Sequence, residues 1–354
     1  MTATADSGAP GALFAAYLGE KRPQIEAFLA ECAPACVAGT AEATRADLDR
    51  YLYQPLERFT ASGGKRTRPA LALLGCEAVG GDPAAALSTA AAIEYFQSAA
   101  LIHDDIADKS ELRRGEPCTY VTEGTGVAIN IGDLGLVNVL ALVLRDEKLP
   151  ADVRSDVAER LVQMEERTLE GQALDLGWAR DGRWDISVED YLYMASHKTA
   201  YYSAAVPLVT GALCGGGTPE QLRALDEFGM RAGLAFQLQD DLLNLVGDAE
   251  TQGKDFRSDI TEGKRTLLAV WALAHLGDLQ RDELLHILGR ETTDAVALAR
   301  AVELIDASGA VDYVRGYARE LVADAKAHLV GARLEETPRD VLLSMADFFV
   351  ERAG

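Results

Sequence analysis

Residues 101–108 read Leu101-Ile102-His103-Asp104-Asp105-Ile106-Ala107-Asp108 and close a run, begun at Asp82, in which small and apolar side chains cover most of a helix surface. A helix that is apolar on most of its circumference belongs inside a bundle. Its terminal carboxylates are therefore carried inward with it. Asp104 and Asp108 are four residues apart, so they leave one face about a turn apart, roughly 5 to 6 Å between Cβ atoms. Like charges at that spacing repel unless a cation lies between them. Hard divalent cations take oxygen ligands, and Mg²⁺ in particular is commonly held by one or two carboxylates together with substrate phosphates.

A second run of the same kind ends in Phe236-Gln237-Leu238-Gln239-Asp240-Asp241-Leu242-Leu243-Asn244, where Asp240 and Asn244 share a face. One such cluster alone is as often a solvated acidic helix end. Two, each in an apolar helix where unpaired charge is costly, point to a site.

Outside these runs Ala, Leu, Glu and Arg recur at three- and four-residue spacing, and strand-like alternation is scarce. The chain reads as all-α, with helices expected over 12–30, 45–60, 68–79, 82–109, 129–144, 151–171, 188–213, 219–246, 267–276, 292–308, 310–330 and 338–352. Asp82-Pro83, Thr218-Pro219 and Thr337-Pro338 place a capping side chain before a first-turn proline. Gly80-Gly81 and Gly215-Gly216-Gly217 fall where helices should stop. No repeat period and no Pro/Gly/Ser linker is visible, so residues 1–354 are taken as one bundle around a central cavity, with 1–40 an N-terminal extension and first helix.

The chain carries 34 Lys plus Arg against 56 Asp plus Glu, a net charge of −22, which argues against a nucleic-acid partner. An anionic small molecule meets the same repulsion unless local cations or metal ions reverse the field. Three basic stretches offer this: Gly63-Gly64-Lys65-Arg66-Thr67-Arg68-Pro69, Arg113-Arg114-Gly115, and Lys198-Thr199 with Lys254 and Lys264 further on. Glycine lets backbone N–H groups approach a phosphate, and arginine grips it with two donors. For Lys254 or Lys264 taken singly, a surface loop is the plainer reading. Carboxylates, Mg²⁺ and guanidinium groups together describe a diphosphate clamp.

Cys32, Cys36, Cys76, Cys118 and Cys214 show no zinc-site spacing and read as small apolar residues in a reducing cytoplasm. The N-terminal MTATADSGAP lacks a basic signal region, and the longest apolar run, 134–144, is too short to span a bilayer.

Six segments then carry a family resemblance: GGKRTRP at Gly63, IHDDIADKSELRRGEP at Ile102, GQALDL at Gly171, HKT at His197, FQLQDDLLNLVGD at Phe236 and DITEGKRTLL at Asp259. In order and spacing the chain resembles the trans-isoprenyl diphosphate synthases, the polyprenyl synthetase family of farnesyl and geranylgeranyl diphosphate synthases. The resemblance implies the family's all-α isoprenoid-synthase bundle, a homodimer, and Mg²⁺-dependent condensation of isopentenyl diphosphate with an allylic diphosphate. It implies that Asp104 and Asp108 hold two Mg²⁺ ions and Asp240 a third, with Asp241 and Asn244 close by and Asp105 among the catalytic residues. Arg113, Lys198 and Lys254 would contact the allylic diphosphate, backed by Lys264. Gly64, Lys65, Arg68, Gln97 and Arg114 match positions that bind the diphosphate of isopentenyl diphosphate. Thr199 and Gln237 match groups that stabilise the carbocation, and Gln172 and Asp175 support them. Three departures stand out: Gln97 where many members have His, Asn244 in place of the last Asp, and Asp255 where Pro is common.

Product length should follow the depth of the apolar cavity below Asp104. Phe96 and Ala100 stack beneath it at about 5.4 Å per turn. Members that stop at farnesyl usually carry aromatics where Ala99 and Ala100 stand, so geranylgeranyl diphosphate is the expected product, with Phe96 as a candidate floor and Tyr95 or a residue of a neighbouring helix as equal alternatives. Farnesyl and geranylfarnesyl products are alternatives. Rival readings are a class I terpene cyclase, for which Asn244 and Asp248 are the wrong residues, and a non-catalytic subunit of a heteromeric synthase, which would commonly have lost aspartates.

Overall fold

The computed structural model describes residues 11–247, 257–290 and 292–351. Lys254, Asp255 and Asp248 lie outside the described residues. Helix α5 (Leu87–Ala107) is the run that ends in the first carboxylates. Asp82 caps its entry by accepting the Ala84 N–H at 2.9 Å, and a 3₁₀ turn, Pro83–Ala86, leads into it. Before it come α1 (Ala12–Glu31), α2 (Glu42–Leu48), α3 (Gln54–Ala61) and α4 (Thr67–Ala78). The expected single helix over 45–60 is two helices joined by a wider π-wound stretch, Asp49–Tyr53.

After α5 the chain makes α6 (Thr119–Glu123), α7 (Thr125–Leu144), α8 (Ala151–Arg180), α9 (Val188–Ala195), α10 (Val206–Cys214) and α11 (Pro219–Val246). Then follow α12 (Ser258–Thr261), α13 (Leu267–His275), α14 (Asp278–Leu288), α15 (Ala295–Ala307), α16 (Ala310–His328) and α17 (Glu336–Glu351). The sequence reading missed α14, whose stripe of Leu284, Ile287 and Leu288 is nonetheless buried. It also missed a short hairpin, β1 (Leu112–Arg113) against β2 (Glu116–Pro117), with Arg113 opposite Glu116. Arg114 and Gly115 both take positive φ at its turn, the backbone that a two-residue hairpin favours.

Two glycine readings came out differently. Gly80-Gly81 and Gly215-Gly216-Gly217 do follow helix ends, at Ala78 and Cys214. Gly171, taken as the end of α8, instead lies mid-helix. A Cβ there would sit 2.3 Å from the Lys198 backbone nitrogen, so the residue is small because α8 meets another helix at that point.

Among the described residues two hydrophobic cores result. One gathers α1, α4, α5, α7, most of α8, α10, α17 and the end of α16 (Val322, Ala325); the other gathers α9, α13–α15, the start of α16 and Trp178 of α8. Helix α11 belongs to both: Leu225, Phe228, Ala232 and Ala235 pack in the first, Leu238, Leu242 and Leu245 in the second. Thr218 and Gln221 fix its start through a reciprocal capping box with Pro219 in the first turn, worth about 1 kcal/mol. Helix α7 is longer than the apolar run suggested, and its length and composition would suffice to cross a bilayer. It packs against α5, where Gly135 meets Ala99 and Gly132 meets His103, while Val137 and Leu144 stay exposed. All five cysteines are free thiols.

Candidate active site

A cavity of about 430 Å³ opens between the two cores, lined by Asp104 and Asp108 from α5 and Asp240, Asp241 and Asn244 from α11. Arg68, Arg113, Lys198, Thr199, Gln237 and Lys264 line it as well. With Asp175, twelve of the residues singled out in the sequence thus share one space. Lys198 and Thr199 enter from a ten-residue π-wound stretch, Ser196–Ala205, which interrupts the helix expected over 188–213. Such widened turns recur at functional sites because they re-aim side chains within an otherwise regular helix.

At the first acidic end, Gln172 donates to Asp104 at 2.8 Å. Burial pushes the Asp104 carboxyl above its ordinary value and Asp108 adds to this, against Lys198 and Arg113. Burial also raises Asp108, opposed first by Lys264. Asp105 faces the other way, fully buried, and accepts from Arg113 Nε at 2.9 Å and Nη2 at 2.5 Å. That pair fixes Arg113 on β1, so Asp105 orients a cation and is not among the cavity-lining carboxylates.

At the second acidic end, Asp241 is enclosed too. Tyr191 donates to one oxygen at 2.6 Å and Gln237 to the other at 2.8 Å. Burial and the charge of Asp259 nevertheless push its carboxyl up to about 8. Asn244 donates to Ser258 Oγ at 3.0 Å and accepts from the Asp259 backbone N–H at 3.2 Å. The amide therefore pins α12 against α11 and brings Asp259 to the cavity wall.

Asp259 is a site residue that sequence reasoning quoted without assigning. Burial raises it to about 6, while Lys264 at 3.7 Å holds it down. Lys264 also pairs with Glu262 at 2.8 Å; burial pulls its ammonium down, but Asp259 and Glu262 keep it well above the ordinary lysine value. Lys198 is bonded to Asp175, and that carboxylate with Asp104 outweighs burial to keep the ammonium charged.

The loop before α4 forms a second cationic rim. Arg114 donates to Gly63 O at 2.7 Å and Ser62 Oγ at 3.2 Å and packs over Gly64. Gly63 and Gly64 take φ of 103° and 115°, which only glycine adopts without strain. Lys65 is exposed and half-buried Arg68 donates to Tyr202 at 2.8 Å and Ser203 at 2.9 Å. Gln97 is half-buried on α5 and does not line the cavity. Tyr202, missed in the sequence, lies edge-on to Phe96 with ring centroids 5.5 Å apart. No spacing signal marks it.

Residues 49–305 match the residue pattern of the polyprenyl synthetase family. The chain belongs to that family. It is a trans-prenyltransferase of the isoprenyl diphosphate synthase type. A short chain isoprenyl diphosphate synthase of Methanothermobacter thermautotrophicus is 41% identical over 304 residues, covering 85% of this chain and 90% of that protein. A geranylgeranyl diphosphate synthase of Methanosarcina mazei is 33% identical over 304 residues, again 85% and 90%. Among solved structures, the geranylgeranyl pyrophosphate synthase of Corynebacterium glutamicum, complexed with isoprenyl diphosphate and magnesium, has a TM-score of 0.85 at 30% identity, covering 96% of this chain and 99% of that one. This polyprenyl synthetase therefore shares the all-α fold of its structural relatives.

Proposed function

We propose that the synthetase condenses isopentenyl diphosphate with an allylic diphosphate in a Mg²⁺-dependent reaction, with geranylgeranyl diphosphate as the main product. The observation that carries this is the shared cavity of Asp104, Asp108 and Asp240, faced by Lys198, Arg113 and Lys264, beside the second cationic rim of Lys65, Arg68 and Arg114.

The donors suit Mg²⁺ because all are carboxylate oxygens. Among the described residues no three such side chains form a cage by themselves, which fits ions completed by substrate phosphate oxygens. Asp104 and Asp108 would hold two ions and Asp240 the third; when bound they supply electrostatic stabilisation of the charge on the departing diphosphate. Lys198, Arg113 and Lys264 would grip the same oxygens, fully charged in a poorly solvated site where such contacts are strongest. Thr199 and Gln237 would turn polar atoms toward the cation formed when the C–O bond breaks. The double bond of isopentenyl diphosphate, held by Lys65, Arg68 and Arg114, would attack that cation, and the new cation would lose a proton to the released diphosphate, restoring a double bond. Enclosing side chains such as Leu101, Phe236 and Tyr202 exclude water that would otherwise quench the cation.

Two small residues, Ala99 and Ala100, precede Asp104 on α5, and the edge-on contact of Phe96 with the cavity-lining Tyr202 supports a floor near Phe96. Ala100→Phe is expected to shorten the main product by one isoprene unit. The exposed Ile129, Val137 and Leu144 of α7 form an apolar face that supports a homodimer, in which this face meets a second copy and not lipid; a cytoplasmic location is proposed with it.

Incubating the purified chain with isopentenyl diphosphate, an allylic primer and Mg²⁺, followed by mass spectrometry, tests the whole reading. Elongated diphosphates that vanish with EDTA are expected. Released hydrocarbon, or no product, would overturn it.

A further inference from the structure

Arg66 stands between Lys65 and Arg68 yet points the opposite way. Its side chain is 2% exposed, and its guanidinium donates to buried Glu94 of α5 and, at 2.8 Å, to the Thr60 carbonyl at the end of α3. Its backbone is left-handed, φ 52°, at the residue just before α4. A non-glycine residue holds that conformation only where its surroundings over-determine it. Here the surroundings are polar. Thr60 also donates its hydroxyl to Ser98 at 3.2 Å, and Ser98 donates back to the Glu94 carbonyl at 2.9 Å, so α3, α5 and the loop are tied at one buried point.

A buried ion pair is a poor way to gain stability, because desolvating both charges offsets most of their attraction. What it gives is geometry. From the other side, Arg114 holds the same loop at Gly63. The loop is thus clamped between the hairpin and α5, and Lys65 and Arg68 project from a backbone fixed at both ends.

We infer that the Arg66–Glu94 pair is a positioning device for the isopentenyl diphosphate site: it touches no substrate, but sets where Lys65 and Arg68 present their charges. This rests on the proposal that those two residues bind that diphosphate. Removing the pair should therefore weaken one substrate selectively, through its ground-state and transition-state binding alike, and leave the ionisation of the other intact.

The test is steady-state kinetics on the full-length enzyme with both substrates varied, alongside thermal melts, for Glu94→Gln, Arg66→Lys and the apolar pair Arg66→Met/Glu94→Leu. The KM for isopentenyl diphosphate should rise about tenfold, while kcat and the KM for the allylic primer stay within about twofold. The apolar pair should regain thermal stability lost by Glu94→Gln and keep the high KM. A KM that stays at the wild-type value in the folded variants, or that returns to it together with the melting temperature in the apolar pair, would overturn the inference. Lys65→Ala and Arg68→Ala serve as separate arms. If they also leave that KM unmoved, the assignment of the diphosphate site itself fails; if they raise it while the Arg66 and Glu94 variants do not, only the positioning role fails.

Discussion

The two acidic helix ends look alike as strings, Asp-Asp-x-x-Asp on α5 and Asp-Asp-x-x-Asn on α11, but the molecule handles their middle aspartates by opposite means. Asp105 is neutralised by a full cation, the guanidinium of Arg113. Asp241 receives only neutral donors, Tyr191 and Gln237, and burial drives it toward protonation near pH 8. The outer residues differ as well. Asp108 ends its helix and lines the cavity, whereas Asn244 is committed to α12. Identical letters therefore acquire different partners according to what the fold brings beside them.

The largest effect is expected where the two ends act in the same way. Asp104→Asn and Asp240→Asn should each lower kcat/KM by about a thousandfold or more, since each removes charge that stabilises the leaving diphosphate. A loss below tenfold at either position in steady-state assays would show that the ends are not equivalent. Next come the middle residues. Asp105→Asn strands Arg113 without its partner and should cost about 2 kcal/mol in denaturant unfolding, reduced from the fully buried value because Arg113 is partly exposed. Asp241→Asn should cost little at pH 7, as an amide resembles a protonated carboxyl; comparable losses at both positions would erase the contrast.

A pH effect follows from the raised carboxyls. Asp259 and Asp241 titrate higher folded than unfolded, so the folded chain holds extra protons; that stabilisation is complete below about pH 4 and is lost as pH rises through about 6 for Asp259 and about 8 for Asp241. Metal must displace these protons or act beside them. The Mg²⁺ concentration giving half-maximal activity should fall as pH rises from about 6 to about 8, and Asp241→Asn should flatten the upper part of that curve. A pH-independent Mg²⁺ requirement would contradict the assignment of proton-binding carboxyls to this wall. Smallest of all is Asn244→Asp. Its side-chain oxygen can still accept from Asp259 N–H, so kcat should change less than about threefold. A tenfold gain in Mg²⁺ affinity would instead mean that position 244 lacks a ligand.

Much of this protein was legible one residue at a time. The capped starts at Asp82 and Thr218, the helix carrying each acidic end, and the conjunction of carboxylates with Lys198, Arg113 and Arg68 all follow from local spacing and composition. Helix α11 runs over 219–246 as the pattern required. Local pattern failed where partners lie far away in sequence. Gly171 reads as a stop signal by itself, yet its reason is the Lys198 backbone. Asp259 and Tyr202 carry no periodic signature, because a residue drawn into a site from a single-turn helix or a widened turn leaves none.

The sequence by itself determined that two carboxylate clusters would ride on buried helices, because a 3.6-residue repeat sets which side chains share a face and an apolar circumference forces that face inward. Only the tertiary structure decided which aspartates look into the cavity, which cations neutralise the others, and that Arg66 turns away from its neighbours toward Glu94. Most of those outcomes depend on contacts between distant segments, such as Arg66 with Glu94, 28 residues apart, or Tyr191 with Asp241, 50 apart, and even Asp105 and Arg113, eight apart, meet only because the hairpin folds back on α5. Such contacts are set by how the whole bundle packs.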